Sequence, residues 1–149
     1  MDIQITWMKA EHVEDILRIE TLSFDSPWSQ KQFFEEWQDK KSYTLVAKID
    51  SQLVGYLIYS RCRDKLVIEN LAVDRSFRRN LVGKKLVLSV IDNLGNRDCV
   101  ELNVADSNLD AHLFLRSLGF KASEIKRAFY GNNQDAYLFS FRPAVLVGG

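Results

Sequence analysis

The sequence is short of nearly every residue that marks a specialised chain. Two cysteines stand among 149 residues. Cys62 and Cys99 are too few and too isolated for a disulfide framework, which points to a reducing compartment and a cytoplasmic protein. Only two prolines and seven glycines occur, too few for a collagen-like or a disordered chain. Net charge is missing too, since twenty basic side chains meet twenty acidic ones. Proteins that work on nucleic acid or on a membrane surface carry a basic excess, so neither partner is expected. No apolar run approaches the ~20 residues that span a bilayer. The start, Met-Asp-Ile-Gln, lacks the charged and apolar stretches of a secretory signal. No cluster of His, Cys and carboxylates has ligand spacing, so no metal is expected.

What the chain does have is patterned apolar sequence. With 46% hydrophobic residues, a chain of this length buries roughly two-thirds of its unfolded surface as one domain. That domain is expected over 1–143, with 144–149 as a loose tail. Ile3, Ile5 and Trp7 alternate with polar neighbours, as in a strand. Val13, Ile16 and Leu17 follow at helical spacing within Glu11 to Leu22. Pro27 ends the helical pattern, because the residue before a proline is pushed out of the α region. Ser29 and Gln32 form a capping box that opens a second helix, with Phe33, Phe34 and Trp37 on one face.

Three segments rich in β-branched and aromatic residues come next: Tyr43 to Ile49, Leu53 to Ser60 and Leu66 to Val73. The first two are joined by Asp50-Ser-Gln52 and predict an antiparallel hairpin. Val82 to Leu94 reads as a helix that Gly95 ends in the left-handed conformation. Cys99 to Val104 reads as a strand, and Ser107-Asn108 caps a helix running to Leu118, which Gly119 stops. Phe120 to Phe129 and Asp135 to Phe141 are the last strands. The order β-α-α-β-β-β-α-β-α-β-β predicts an α/β fold with a mixed sheet, parallel where a helix joins two strands.

Between Arg75 and Lys85 stand five basic residues, in a chain with no net charge. They lie between a strand and the first turn of a helix, where unpaired N–H groups and the helix dipole favour an anion such as phosphate. Gly83 would let a ligand approach the backbone. A P-loop is excluded, since it needs glycine at Arg78 and Ser or Thr at Lys85.

Four motifs then carry a family resemblance. Ile68-Glu-Asn-Leu-Ala-Val73 followed by Phe77-Arg-Arg-Asn-Leu-Val-Gly83 resembles the acetyl-CoA motif of the GNAT N-acetyltransferases. Ser107-Asn108, Ala111 and Leu118-Gly-Phe120 resemble that family's fifth strand and fourth helix. Phe24-Asp-Ser-Pro-Trp28 and Phe129-Tyr130 with Asp135-Ala136 are similar to the subset that acetylates protein N-termini, in particular the bacterial RimI-like ribosomal-protein-alanine acetyltransferases. The resemblance covers nearly the whole chain and implies a GNAT-like fold with acetyl-CoA as cosubstrate. It implies that the backbone of Leu71, Ala72 and Val73 bonds the pantetheine arm. Arg78, Arg79, Asn80, Leu81, Val82, Gly83 and Lys84 would hold the pyrophosphate, and Asn108 would sit beside the thioester. Phe24, Pro27, Trp28, Phe129 and Tyr130 would line the acceptor groove. Three positions depart from the pattern. Leu81 replaces the motif's first glycine, Asn103 replaces a glutamate base, and Leu115 replaces a tyrosine acid.

Transfer needs a neutral amine to attack the thioester, so one proton must leave. A protein α-amine, with pKa near 7.7–8.0, is roughly 10–15% neutral at pH 7, whereas a lysine amine near 10.4 is almost wholly charged. A weakened base therefore favours the N-terminus of a protein or peptide, possibly ribosomal, as acceptor. Glu69, Glu101 and Asn103 are the candidate catalytic groups on the sheet, and Tyr130 is the spare phenol. His12 and His112 read as lone histidines on helices, either at the surface or satisfied, and not as catalytic groups. The same motifs also fit a catalytically degenerate protein that binds CoA or a partner, and a small-molecule amine acetyltransferase.

Overall fold

The computed structural model describes residues 2–78, 81–130 and 133–144. The elements run β1 (Ile3–Trp7), α1 (Val13–Ser23), α2 (Gln30–Gln38), β2 (Ser42–Ile49), β3 (Gln52–Arg61), β4 (Lys65–Val73), α3 (Val82–Asp92), β5 (Cys99–Ala105), α4 (Leu109–Ser117), β6 (Lys121–Lys126) and β7 (Ala136–Phe141). This is the expected order, with two short 3-10 turns added, Ala10–His12 before α1 and Arg75–Phe77 before α3. Beyond Ala144 the expected tail lies outside the described residues.

The seven strands form one sheet in the order β1-β2-β3-β4-β5-β7-β6. Only β4 and β5 pair in parallel, as the helix between them requires. The second strand-helix-strand unit turns out differently. β7 inserts between β5 and β6 and pairs antiparallel with both, so the strands joined by α4 are not neighbours. The β2–β3 turn is also tighter than expected. Asp50 and Ser51 both take positive φ, 49° and 67°, and Gln52 already belongs to β3, as in the two-residue hairpin that matches strand twist.

Two apolar layers cover the sheet. On one face Val13, Ile16, Ile19 and Phe33 from α1 and α2 pack on Val46, Tyr56, Ile58 and Ala72. On the other, Val82, Leu86, Val90 and Leu115 from α3 and α4 pack on Leu57, Tyr59, Leu66 and Val100. The capping box of α2 is formed as the sequence predicts, with the Gln32 N–H donating to Ser29 Oγ at 3.1 Å and the Ser29 N–H to Gln32 Oε1 at 2.8 Å. His112 is satisfied, whereas His12 is only half so, its buried Nε2 having no hydrogen-bond partner among the described residues. His12 Nδ1 accepts from the Lys9 N–H at 2.9 Å, and a ring nitrogen of His112 lies 3.0 Å from the Ala105 carbonyl.

One irregularity in β4 positions the site. Ile58 pairs with Asn70 and Tyr59 with Ile68, so Glu69 is an extra residue, a β-bulge. A regular strand would put Ile68 and Asn70 on one face. The bulge reverses the alternation: Ile68, Leu71 and Val73 join the layer under α3 and α4, while Ala72 joins the layer under α1 and α2. Asn70 is turned to the α1 side as well, where it meets Glu20.

Candidate active site

The β4–β5 ladder is short. It links Lys65, Leu66 and Val67 to Cys99, Val100 and Glu101 and then ends, although β4 runs on to Val73 and β5 to Ala105. Past that point the strands part and leave a cleft of about 680 Å³. Its walls are Ile68, Glu69, Asn70 and Leu71 from β4 and Leu102, Asn103, Val104 and Ala105 from β5. The α1–α2 loop closes one side with Phe24, Asp25, Ser26 and Trp28, while Asn108, Phe114, Leu115, Tyr130 and Gln134 close the other.

The candidates separate by where they stand along β4 and β5. Glu101 sits in the paired stem, where it accepts from Lys65 Nζ at 3.0 Å. This pairing raises the Lys65 pKa, and Glu101 is not among the cleft-lining residues. Asn103, two residues further, lines the cleft, and its Oδ1 is buried with no hydrogen-bond partner among the described residues. Such an orphan acceptor costs free energy unless something supplies a donor. Glu69 is exposed, lines the cleft from the bulge, and accepts from Ser60 Oγ at 3.2 Å. Leu115 is buried in the α4 layer and also reaches the cleft wall.

The start of the basic loop is tied to β4 by a side chain. Arg78 Nε donates to the Val73 carbonyl at 3.2 Å, which holds the guanidinium against the end of β4. Arg79 and Asn80 lie outside the described residues. Leu81 takes φ 66°, ψ 12° and precedes α3, whose start has no side-chain cap. It thus adopts the left-handed backbone that the motif's glycine would supply, with its side chain 62% exposed. Val82 is buried, and Lys84 and Lys85 are exposed. At Gly83 a Cβ would stand 3.4 Å from the Phe114 ring, which itself lines the cleft, an ordinary contact, so packing alone does not require glycine there.

On the opposite wall, the Asn108 side chain caps α4 by accepting from the Ala111 N–H at 3.2 Å. Phe129 and Tyr130 stack edge to face, 4.9 Å between centroids. Partial burial raises the Tyr130 pKa, keeping the phenol protonated. Asp135 fixes their loop, accepting from the Ala128 N–H at 2.8 Å and from Arg127 Nη1 at 2.9 Å. The Ala128 hydrogen bond and the Arg127 charge hold the Asp135 carboxyl below its usual range. Gln134 Nε2 donates to Ser107 Oγ at 2.9 Å, tying the loop to the start of α4. Phe24, Trp28 and Tyr130 reach the cleft, while Pro27 and Phe129 stand outside its lining.

One residue at the cleft is absent from the sequence candidates. Glu20, on α1, is 2% exposed and lines the cleft. Its Oε1 accepts from the Tyr56 hydroxyl at 2.5 Å and from Asn70 Nδ2, and its Oε2 accepts from the Trp28 N–H at 3.0 Å. The partners lie 8, 36 and 50 residues away in sequence. Its one local signal is that Glu20 continues the apolar stripe of Val13, Ile16 and Leu17, where a carboxylate is out of place.

The Acetyltransferase (GNAT) family model matches residues 13–120. The chain belongs to the GNAT family. It is 33% identical over 119 residues, 78% of this chain and 80% of the relative, to the [ribosomal protein bS18]-alanine N-acetyltransferase of Salmonella typhimurium. The crystal structure of the ribosomal-protein-S18-alanine N-acetyltransferase from Escherichia coli superposes with TM-score 0.86 at 23% identity, covering 99% of both chains. Arabidopsis thaliana NAA60 in complex with acetyl-CoA superposes with TM-score 0.83 at 17% identity, covering 95% of this chain and 100% of that one. This GNAT chain is an N-acetyltransferase, with acetyl-CoA as its acetyl donor. Among the described residues no helix is long and apolar enough to cross a membrane.

Proposed function

We propose that this GNAT enzyme acetylates the N-terminal α-amine of a protein or peptide in the cytoplasm, a ribosomal protein being the acceptor that its relatives' names suggest. The observation that carries this reading is the composition of the cleft wall. Among the described residues it includes three carboxylates, Glu20, Asp25 and Glu69, with Phe24, Trp28 and Tyr130, and no Lys, Arg or His side chain. Such a wall favours an incoming cation with an apolar flank, as a peptide's terminal ammonium and first side chain present.

The residues present fit acetyl-CoA. Beyond Val67 the β4 edge has left its ladder, so the backbone of Leu71, Ala72 and Val73 would pair with an amide-bearing arm as with an added strand. The arm's amides also offer a donor to the orphaned Asn103 Oδ1. The loop from Arg78 to Lys84 at the uncapped start of α3 would take the pyrophosphate, and Asn108 would stand beside the thioester. Acetyl-CoA brings the activated carbonyl. The amine nitrogen forms the new C–N bond, the C–S bond breaks with its electron pair leaving on sulfur as the CoA thiolate, which takes up a proton from solvent, and one proton leaves the nitrogen. Glu69, exposed and at the cleft, is the carboxylate placed to pass that proton to water. Glu101, engaged with Lys65, is not so placed. Phe24, Trp28 and Tyr130 would hold the acceptor's first residues, with Pro27 and Phe129 behind them.

The test is incubation with acetyl-CoA and a panel of N-terminal peptides, following thiol release and peptide mass. Peptides should gain one acetyl group on the α-amine. No turnover above the uncatalysed rate, or acetylation of small amines alone, would overturn the assignment.

A further inference from the structure

The geometry points to Glu20 as a positioning residue of the acceptor site: its buried carboxylate locks the α1–α2 loop to the β4 bulge and so sets the acceptor against the thioester. This inference rests on the acceptor reading above and adds to it a residue that no motif marks.

A carboxylate is expensive to bury, and hydrophobic neighbours of similar volume would fill the site at less cost. Glu20 lies one residue from Ile19, in the layer of Ile16, Phe33 and Ile58, where an apolar side chain would pack well. Among the described residues no Lys, Arg or His forms an ion pair with it, so stability from charge pairing does not explain it. What the carboxylate does is gather donors from three places. The Trp28 N–H comes from the acceptor loop, the Tyr56 hydroxyl from β3, and the Asn70 amide from β4 immediately after the bulge.

Each partner is placed for that purpose by the chain around it. The bulge at Glu69 turns Asn70 to the α1 side; in a regular strand that counted Glu69 in its alternation, Asn70 would share the α3 and α4 face with Ile68. Pro27 removes the α option for Ser26 and so leaves the next N–H, that of Trp28, free of helical bonding. The Glu20 backbone joins in, since its carbonyl accepts from the Phe24 N–H at 3.2 Å. One residue thus holds both Phe24 and Trp28, the aromatic pair on this side of the cleft. Burial and the adjacent carboxylate both push the Tyr56 pKa upward, so that hydroxyl remains a donor. A fixed wall matters because attack tolerates little misplacement of the nitrogen, and an ångström of slack costs on the order of 100-fold.

Glu20→Gln keeps the shape but turns an NH2 group toward a donor, so at least one of the three bonds is lost. The readouts are kcat and KM for an N-terminal peptide long enough to lie along Trp28, the same for glycinamide, and the Kd of acetyl-CoA by calorimetry. We expect peptide kcat/KM to fall about 20-fold or more, chiefly through KM. Glycinamide, which also carries an ammonium, should lose only the contribution of one wall charge, about threefold in kcat/KM, and the acetyl-CoA Kd should change less than about twofold. A purely structural residue would lower both acceptors together and weaken acetyl-CoA, and that result, like an unchanged peptide KM, overturns the proposal. Where Glu20→Gln shows no cooperative melting, Asn70→Ala carries the test, with a peptide-selective loss of about fivefold expected and equal kinetics overturning it. If the wild type acetylates no peptide, the acceptor reading fails separately. Exchange of the Trp28 amide then decides the strut: protected in the wild type and exposed in Glu20→Gln supports it, equal protection overturns it.

Discussion

The β4–β5 cleft and the basic turn that follows β4 are built in opposite ways. The turn, proposed above as the donor site, is cationic, local and contiguous in sequence. Arg75, Arg78, Lys84 and Lys85 cluster around a left-handed turn and the uncapped first turn of α3. The acceptor end is anionic, assembled from distant segments, and made of side chains: Glu20, Asp25, Glu69, Phe24, Trp28 and Tyr130. In a chain with no net charge, the proposed donor and acceptor sites thus carry opposite charge. The difference suits the reaction. A diphosphate needs positive potential and N–H groups, which a loop before a helix supplies in a dozen residues. An ammonium that must be placed to within an ångström needs walls fixed from several elements.

The sharpest way to break this contrast is to remove charge from the donor end alone. Arg78→Ala should weaken acetyl-CoA binding by about tenfold at low salt, the low end of what a charge-assisted hydrogen bond is worth. The gap should shrink as salt rises, because the site is exposed. At saturating acetyl-CoA the peptide KM should stay within about twofold of wild type. An unchanged Kd, or a loss shared by both substrates, would show that the ends are not separable.

A pH series probes the acceptor end. The amine must be neutral to attack, so the rate at low peptide concentration rises with pH until the α-ammonium has titrated. With a pKa near 7.7–8.0, going from pH 7 to 8 raises the neutral fraction about four- to fivefold, and a plateau follows. A lysine side chain would still gain about tenfold per unit there. A profile climbing without a plateau to pH 9 would replace the α-amine with an ε-amine.

This contrast also explains what could be read from the sequence. The proposed donor site could be picked out in the sequence because its residues are contiguous, and a strand, a basic loop and a helix start follow one another in thirteen residues. The element order was legible for the same reason: caps, turns and apolar periods are local, as the Ser29–Gln32 box shows. Strand neighbours were less so. Nothing in β6 or β7 says that β7 will slip between β5 and β6, because that choice is made by tertiary pairing. The bulge at Glu69 was hidden too, since an extra residue shows only when the partner strand is known. Glu20 was the furthest from view. Its meaning lies in Tyr56, Asn70 and Trp28, and no spacing along α1 refers to them. Similarly, Glu101 and Asn103 share a face by alternation, yet one lies in the paired stem and the other at the cleft, because the ladder ends between them.

The smallest expected effect concerns Leu81, where the motif's glycine is replaced. Its φ of 66° costs a non-glycine residue ~1–2 kcal/mol. Glycine relieves that cost, but it adds unfolded-state entropy of about 0.5–1 kcal/mol. It also gives up the contact of a side chain that is 62% exposed, again about 0.5–1 kcal/mol. The three contributions nearly cancel, so Leu81→Gly should change unfolding free energy by less than about 0.5 kcal/mol. Leu81→Ile keeps the volume and adds a branch at Cβ, which the left-handed region tolerates worst, and should lose about 1 kcal/mol or more. Because the leucine side chain points outward, acetyl-CoA affinity should be the same within about twofold in the wild type and in Leu81→Gly. Thermal melts and calorimetry on the three proteins check both statements. A large gain in affinity for the glycine variant would mean that the leucine obstructs the diphosphate, and that the donor end is narrower than its backbone implies.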